Sequence, residues 1–435
     1  MVNAVTPMDG RRNFDAVVFG ATGFTGQRVL KELVSQGQGR YAAAGRSRDK
    51  LNKIAQSCGG PGVEIIIADT EDSDTLLHMA HSTRLVLNCV GPYRYWGQPV
   101  VSACVDAGTD YLDVCGEPEF MELMEYRFHD KAKKNGCFVV SAAGFDSIPA
   151  DLGVLYTMQQ FLAPAVPSSV ISFLSLQIGD AGMCAHFPTW ESAVGGFGGA
   201  KDFRQLRKSI SADPNALRPP RPVGPRPKRI PSGKWDSYGR GHVLPFPGSD
   251  ASVVRRTQAR LQAQHKPTVH YSAYFTVPTR FIFLLFAFFG KLLEALAQFS
   301  WGRWLLLRFP RVFSYGLFSR EGPTEQQIAQ TRFEMRLIGH GYAQGTPSMP
   351  DAEPDQHVQV SVKGPEPGYV ATPIIMVQTA LTLQQEREGC QTAVGQGGVY
   401  TAGALFGETT LIQRLSKAGV LFEVTKRTNG NGREA

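Results

Sequence analysis

The sequence predicts an α/β fold, a doubly wound parallel sheet over residues 1–150 joined to a second domain of α+β class. Three observations carry that expectation. A strand, a glycine turn and a helical pattern follow one another from Phe14, and the same unit recurs from Leu85. Short apolar, β-branched runs alternate with helical stretches up to about residue 150, as the strands of a parallel sheet do. Beyond that point Val170–Ile178, Tyr271–Val277, Glu334–Gly339 and His357–Lys363 alternate apolar and polar residues in part, as half-buried strands of an antiparallel or mixed sheet do. A chain of 435 residues has room for two or three domains. Its 43% hydrophobic and 19% charged residues, at a mean hydropathy of -0.16, exclude a disordered chain and a polytopic membrane protein. The expected boundaries are 1–150, 151–380 and a C-terminal segment, 381–435, that packs back on the first domain.

The N-terminus, MVNAVTPMDGRRNFDAV, has neither the apolar core of a secretory leader nor the Arg/Ser-rich pattern of a transit peptide, so a cytosol-facing protein is expected. From Phe14 the chain reads FDAVVFG, ATGFTG, QRVLKEL. Gly20, Gly23 and Gly26 form G-x-x-G-x-x-G, a variant of the dinucleotide fingerprint of a Rossmann-type sheet. The first glycine permits the tight turn, the second lets a pyrophosphate approach the backbone, and the third lets the helix pack on the sheet. Thr22, Phe24 and Thr25 ride on the same loop, whose N–H groups face the phosphates at the positive end of the helix.

About twenty residues further, NAD-binding sheets place a carboxylate for the ribose 2′-hydroxyl. Here the second strand, Arg40–Ala44, ends in Gly45-Arg46-Ser47-Arg48. A guanidinium and a hydroxyl suit a 2′-phosphate, which favours NADP over NAD; the alternative is that Arg46 is a solvated turn residue. The third strand, Val63–Ala68, ends in Asp69, which either borders the adenine or caps the following helix.

The strand Leu85–Val90 breaks at Gly91-Pro92 before a helix carrying Val100, Val101, Cys104 and Val105. Tyr111–Val114 and Cys137–Ala142 read as further strands, ending in Gly116-Glu117-Pro118 and in Gly144-Phe145-Asp146-Ser147-Ile148-Pro149. Carboxyl-terminal strand ends line the ligand crevice of a doubly wound sheet, so the polar residues there are the site candidates. Asn88 and Gly91 are assigned to the cofactor. Tyr93, Asp146 and Ser147 are the candidate catalytic groups, able to deliver the proton that accompanies hydride transfer, with Glu117 beside them. Each has a structural alternative: Tyr93 as a pocket wall, Glu117 as a turn residue, Asp146 and Ser147 as caps of the helix after Pro149. Seven cysteines without a C-x-x-C pair argue against a disulfide framework or a zinc site, and no metal site is expected.

In the second domain Gly195-Gly196-Phe197-Gly198-Gly199 lacks an upstream strand and reads as a hinge or turn. Between Lys201 and Arg240 eleven Lys/Arg face three Asp, a local charge of +8 within a total of +7, so one segment makes the protein basic and a nucleic-acid partner is not expected. The proline-dense part, Ala212–Lys234, must be an extended surface loop, either merely solvated or in contact with anionic lipid headgroups. Pro278–Pro310 opens with an apolar run, Phe281–Gly290, shorter than the about 20 residues a spanning helix needs. With Trp301, Trp304, Arg303 and Arg308 it reads as a hairpin at a membrane surface or lipid monolayer, the alternative being a buried helix pair or dimer interface. A helix over Thr410–Lys417 and a strand over Val420–Val424 close the chain.

The segments VVFGATGFTGQ, AAGRSRDKL, LNCVGPYRYWGQPVVSAC, GFDSIPADLGV, GSDASVVRRTQ, KGPEPGYVATPIIMVQ and GGVYTAGALFGETTLIQRL together resemble the animal saccharopine dehydrogenase-like oxidoreductases over nearly the whole chain, and more distantly the mycobacterial trans-acting enoyl reductases. The resemblance implies a Rossmann domain joined to a saccharopine-reductase-like domain and association with lipid droplets and related membranes. It does not imply lysine catabolism. Two readings follow: an NADP-dependent reductase of a hydrophobic or lipid-linked substrate at a lipid surface, and a non-catalytic lipid-droplet-associated dinucleotide-binding protein. Oligomerisation is left open.

Overall fold

In the computed structural model, which describes residues 12–37, 39–58, 62–346 and 352–428, the chain forms two units. In the first, β1 (Ala16–Phe19), β2 (Tyr41–Gly45), β3 (Glu64–Ile67), β4 (Leu85–Asn88), β5 (Asp110–Asp113) and β6 (Phe138–Val140) alternate with α1 (Phe24–Ser35), α2 (Arg48–Ser57), α3 (Ser73–Ser82), α4 (Tyr93–Asp106) and α5 (Pro118–Asn135). With β15 (Gly398–Tyr400) they make a parallel sheet in the order β15-β6-β5-β4-β1-β2-β3. Strands of such a sheet are covered on both faces, and β1, β2, β4, β5 and β6 are buried at every residue. The order reverses between β1 and β4, the switch point at which ligands of doubly wound sheets bind.

The second unit holds a mixed sheet in which β16 (Leu421–Thr428), β14 (Gln356–Pro365), β13 (Arg332–Tyr342), β7 (Val166–Gln177), β11 (His270–Val277), β10 (Gly241–Pro245) and β9 (Trp235–Asp236) lie side by side in that order. β7 and β11 run parallel, and the other neighbours are antiparallel. The two-residue strands β8 (Ala185–His186) and β12 (Phe318–Ser319) pair separately. Helix α6 (Ile148–Met158) packs on the Leu337 side of the sheet, where a Cβ on Gly153 would stand 3.1 Å from the Leu337 side chain. Ile338 points the opposite way, since successive strand residues alternate. There it joins Phe173, Val243 and Tyr274 in a buried cluster that Ile230 of the proline-rich segment covers.

That segment is an extended surface strap whose backbone is anchored to the sheet and whose cations stay exposed. Val223 O accepts from Ser168 Oγ at 2.6 Å, Ile230 N donates to Tyr274 Oη at 3.0 Å, and Gly233 N donates to Val243 O at 2.8 Å. Its extended backbone follows from its prolines, which supply no donors and fix φ.

Two expectations are corrected. The glycines 195–199 form no hinge: they close α7 (Phe187–Gly198), with Gly199 as its C-cap. Tertiary packing overrides their poor helix propensity, because a Cβ on Gly198 would lie 3.0 Å from Ala297 O and from Arg303 Cδ. The C-terminal return is also shorter and earlier than expected. Thr372–Tyr400 belongs to the first unit, where the helix Thr372–Gln385 packs on α1 and β15 satisfies the open edge of β6. From Thr401 the chain belongs to the second unit, and β16 takes the free edge of β14.

The Pro278–Pro310 region folds as two helices, α10 (Arg280–Ala297) and α11 (Ser300–Arg308), linked by a tight turn in which a Cβ on Gly302 would fall 2.1 Å from Leu296 O. Leu293, Ala297 and Leu306 bury themselves against Trp190 and Val194 of α7. Their outer faces stay in solvent: ten of the seventeen large apolar side chains exposed among the described residues lie between Phe281 and Tyr315. No described helix is long and apolar enough to cross a membrane.

Candidate functional site

The first group of predicted site residues converges on the turn from β1 to α1. Gly20 turns with φ +81, and Gly23, the N-cap of α1, donates its N–H to Gly20 O at 2.9 Å. A Cβ on Gly26 would stand only 2.2 Å from Gly20 O, so this position accepts glycine alone without moving the backbone. Gly23 is exposed, Thr22, Phe24 and Thr25 are half-buried, and the first turn of α1 carries no acidic residue to compete with an anion. The loop is stiffened by Gln27 Nε2 donating to Thr22 O at 2.9 Å and by the Arg28 guanidinium 4.2 Å from the Phe24 ring centroid. At the end of β2, Arg46 is exposed and Ser47 occupies the N-cap of α2 without a capping bond from its hydroxyl. Asp69 does not cap α3; Asp72 does, accepting from Asp74 N and Thr75 N. These residues fit a dinucleotide with a 2′-phosphate: a cradle that a Cβ would fill, an unopposed helix N-terminus and an arginine at the second strand end.

The ends of β4, β5 and β6 are tied together by a buried network. Asn88 Nδ2 donates to Tyr111 Oη at 3.0 Å, and Tyr111 Oη donates to Asp113 Oδ2 at 2.9 Å. Asp113 also accepts from Ser141 Oγ and from the N–H groups of Cys115 and Ala142, each at 3.0 Å. Burial pushes its carboxyl up to about 6 against these bonds. Tyr93 is buried, and its hydroxyl donates to Asn88 O at 2.9 Å and accepts from Val114 N at 3.3 Å. Burial, then Asp113, raise that phenol well above its usual range. Asn88 and Tyr93 thus fix the strand ends that border the switch point. Sequence reasoning missed Tyr111 and Asp113, whose only signal is polar residues inside a short strand, DYLD.

Asp146 and Ser147 lie in the second unit, in a group that sequence reasoning saw only in part. Ser147 has φ 130, a region that L-residues seldom adopt, and its hydroxyl makes no cap to α6. It reaches Ser249 Oγ at 2.9 Å and donates to Asp250 Oδ1 at 3.1 Å. Ser249 Oγ in turn donates to Asp146 O at 3.4 Å. Asp250, the first residue of α9 (Asp250–Ala263), is 3% exposed, and its carboxyl is pushed up to about 7 by burial and then by the charge of Asp146, against the Ser147 bond. Asp146 reaches solvent over Gly116, yet the protein packed around it takes its carboxyl up to about 6. Asp151, fully buried, accepts from Thr257 Oγ1 at 2.9 Å and Gly403 N at 2.7 Å and is raised to about 6 by burial. Burial raises all three carboxyls above the ordinary carboxylate range, and the charges of Asp146 and Asp151 raise Asp250 further. Glu117 accepts from Ser192 Oγ at 2.9 Å. No three His, Cys, Asp or Glu side chains among the described residues are arranged to hold a metal.

A parallel sheet with a glycine cradle at its switch point defines a dinucleotide-binding protein. Residues 16–140 match the family described as the saccharopine dehydrogenase NADP binding domain, and NADP is the cofactor. A mouse saccharopine dehydrogenase-like oxidoreductase is 44% identical, the alignment covering 95% of this chain and 98% of that protein. A Caenorhabditis elegans protein named for its lipid-droplet localisation is 32% identical over 94% of this chain and 98% of its own. The solved saccharopine dehydrogenase (L-Glu forming) of Saccharomyces cerevisiae shares the fold, with a TM-score of 0.53 at 12% identity, covering 95% of this chain and 100% of that one. The chain belongs to the saccharopine dehydrogenase-like oxidoreductase family.

Proposed function

We propose that the protein is an NADP-dependent reductase working on the cytosolic side of a lipid-droplet or membrane surface, where it adds a hydride and a proton across a C=C, C=O or C=N bond of a hydrophobic or lipid-linked substrate. The observation that carries this reading is the buried hydrogen-bonded group of Ser147, Ser249 and Asp250, a few residues after a strand of the cofactor-binding sheet. Bound NADPH supplies the hydride. Gly20, Gly23 and Gly26 leave room for its pyrophosphate at the N–H groups of the α1 turn, Arg46 and Ser47 pair with its 2′-phosphate, and Asn88 and Gly91 border it from the end of β4. Either Asp146 gives up the proton and regains one from the solvent it reaches, or the Ser147 hydroxyl gives it up and Asp250, its hydrogen-bond partner, replaces it. Tyr93 keeps the strand ends in register rather than losing its own proton, since its hydroxyl already holds Asn88 O. The exposed face of α10 and α11 and the name of the Caenorhabditis elegans relative support a lipid surface as the place of work.

The test is a fluorescence titration of purified protein with NADPH and NADH, wild type against Arg46→Glu, followed by NADPH consumption in the presence of lipid extracts. Tighter binding of NADPH, lost in Arg46→Glu, and turnover with a lipid fraction are expected. Cofactor binding with no turnover on any lipid fraction would replace the reductase by a non-catalytic dinucleotide-binding protein.

A further inference from the structure

We propose that the cationic strap and the outer face of the α10–α11 hairpin form one composite docking surface selective for membranes with anionic headgroups. The inference rests on the lipid-surface reading above and deepens it by naming the lipid chemistry.

The first support is that the strap displays its charge on a fixed frame. Its backbone is held at Ser168, Tyr274 and Val243, and Gly224 O lies 3.2 Å from His270 Nε2, while Arg226, Lys228 and Arg229 between these anchors, with Arg218, Arg221 and Lys234 flanking them, are all exposed. A strip of cations whose backbone is already ordered loses little further freedom on meeting a surface. Two of the three acids in the region are occupied locally: Asp213 accepts from Asn215 N at 2.9 Å, and Asp236 accepts from Tyr238 N at 2.9 Å and Gly239 N at 2.8 Å.

The second support is continuity with the apolar hairpin. The strap ends at Gly233, where a Cβ would stand 2.8 Å from the Phe283 ring of α10. His242 bridges the two, its ring 5.4 Å from Trp235 and 6.5 Å from Phe283 between centroids. Phe281, Leu284 and Phe288 of α10 and Trp301 and Trp304 of α11 are exposed on the hairpin beyond it. On the other flank α8 (Ala200–Ala212), a helix with no fully buried residue, exposes Lys201, Arg204 and Lys208. An open groove lined by Phe197, Arg204, Lys291, Glu294 and Gln298 joins α8 to α10. Cations thus border the apolar hairpin on two sides.

The occupant follows from this combination. Apolar insertion alone is indifferent to headgroup charge, whereas each Lys or Arg at an anionic surface raises partition by about fivefold. A nucleic acid would pair with the cations but leave the Phe and Trp side chains in water, so a lipid surface fits both halves and a polyanion only one.

The test is co-flotation of the full chain with vesicles of phosphatidylcholine alone and of phosphatidylcholine mixed with phosphatidylserine, at low and high salt. Wild type is expected to favour the anionic vesicles by about tenfold or more at low salt, with the preference shrinking as salt rises. The triple variant Arg226→Gln, Lys228→Gln, Arg229→Gln should lose most of that preference while keeping the weak binding to phosphatidylcholine; Phe288→Ser with Trp304→Ser should lower binding to both. NADPH titration of each variant checks that it is folded. Equal binding of wild type to both vesicles overturns the charge selectivity and leaves the lipid-surface reading standing. Binding to neither overturns both, and tighter binding to a single-stranded oligonucleotide than to anionic vesicles assigns the strap to nucleic acid instead.

Discussion

Helices α1 and α10 both carry apolar residues, yet they meet solvent in opposite ways. α1 turns Gly26, Val29, Leu30 and Leu33 inward and leaves polar residues outside. α10, eighteen residues long, fully buries only Leu293 and Ala297 and leaves Phe281, Leu284 and Phe288 more than half exposed. The difference lies in the partners each helix finds. α1 has both the parallel sheet and the helix Thr372–Gln385 to cover it, whereas α10 meets α7, α11 and the edge of β10 and β11, and its outer face finds nothing within the described residues. Apolar content states how much surface seeks cover; the fold decides whether the chain itself supplies it.

The contrast can be broken from the inside of the hairpin. Leu306→Ala removes a fully buried side chain packed near Trp190, and a loss of about 2–5 kcal/mol is expected in denaturant unfolding. At the other helix, Gly26→Ala forces a Cβ to 2.2 Å from Gly20 O. Overpacking of that kind costs about 1–3 kcal/mol, and NADPH binding should fall out of the measurable range in a fluorescence titration. Asp250→Asn tests the acid group without changing volume. Because the Asp250 carboxyl moves from 3.8 to about 7 on folding, the native state holds its proton more tightly than the unfolded chain. Wild-type stability should therefore decline as pH rises from about 4 through about 7, and Asp250→Asn should flatten that decline; the rate profile of any turnover should lose its ionisation near 7. The smallest expected effect sharpens the comparison most. Trp304→Ala, on the outer face, should alter stability by about 0.5 kcal/mol or less while weakening vesicle binding, the reverse of Leu306→Ala.

The parallel sheet was legible because its information is local. Gly20, Gly23 and Gly26 lie within one turn of each other, and the strand ends at Arg46 and Asn88 are punctuated by Ser47 and Gly91. The acid group was legible only by half, since Ser147 meets Ser249 and Asp250 across more than a hundred residues and nothing in GSDAS announces that meeting. The strap was read as a surface loop because its prolines exclude regular structure; its anchoring by Ser168, Tyr274 and Val243 depends on a sheet the local sequence does not reveal. The glycines of α7 misled because propensity is a weak prior beside close helix packing at Ala297 and Arg303.

The late pairing of β15 with β6 gives the protein an order of completion during its synthesis. The cofactor-binding sheet includes β1, but it stays open at β6 until Tyr400 has been made, and the second cover of α1 comes only with Thr372–Gln385. At the usual pace of translation the growing chain carries that unfinished edge for roughly 13–52 s. A nascent chain halted before Tyr400 would offer chaperones the edge of β6 that β15 covers in the finished protein.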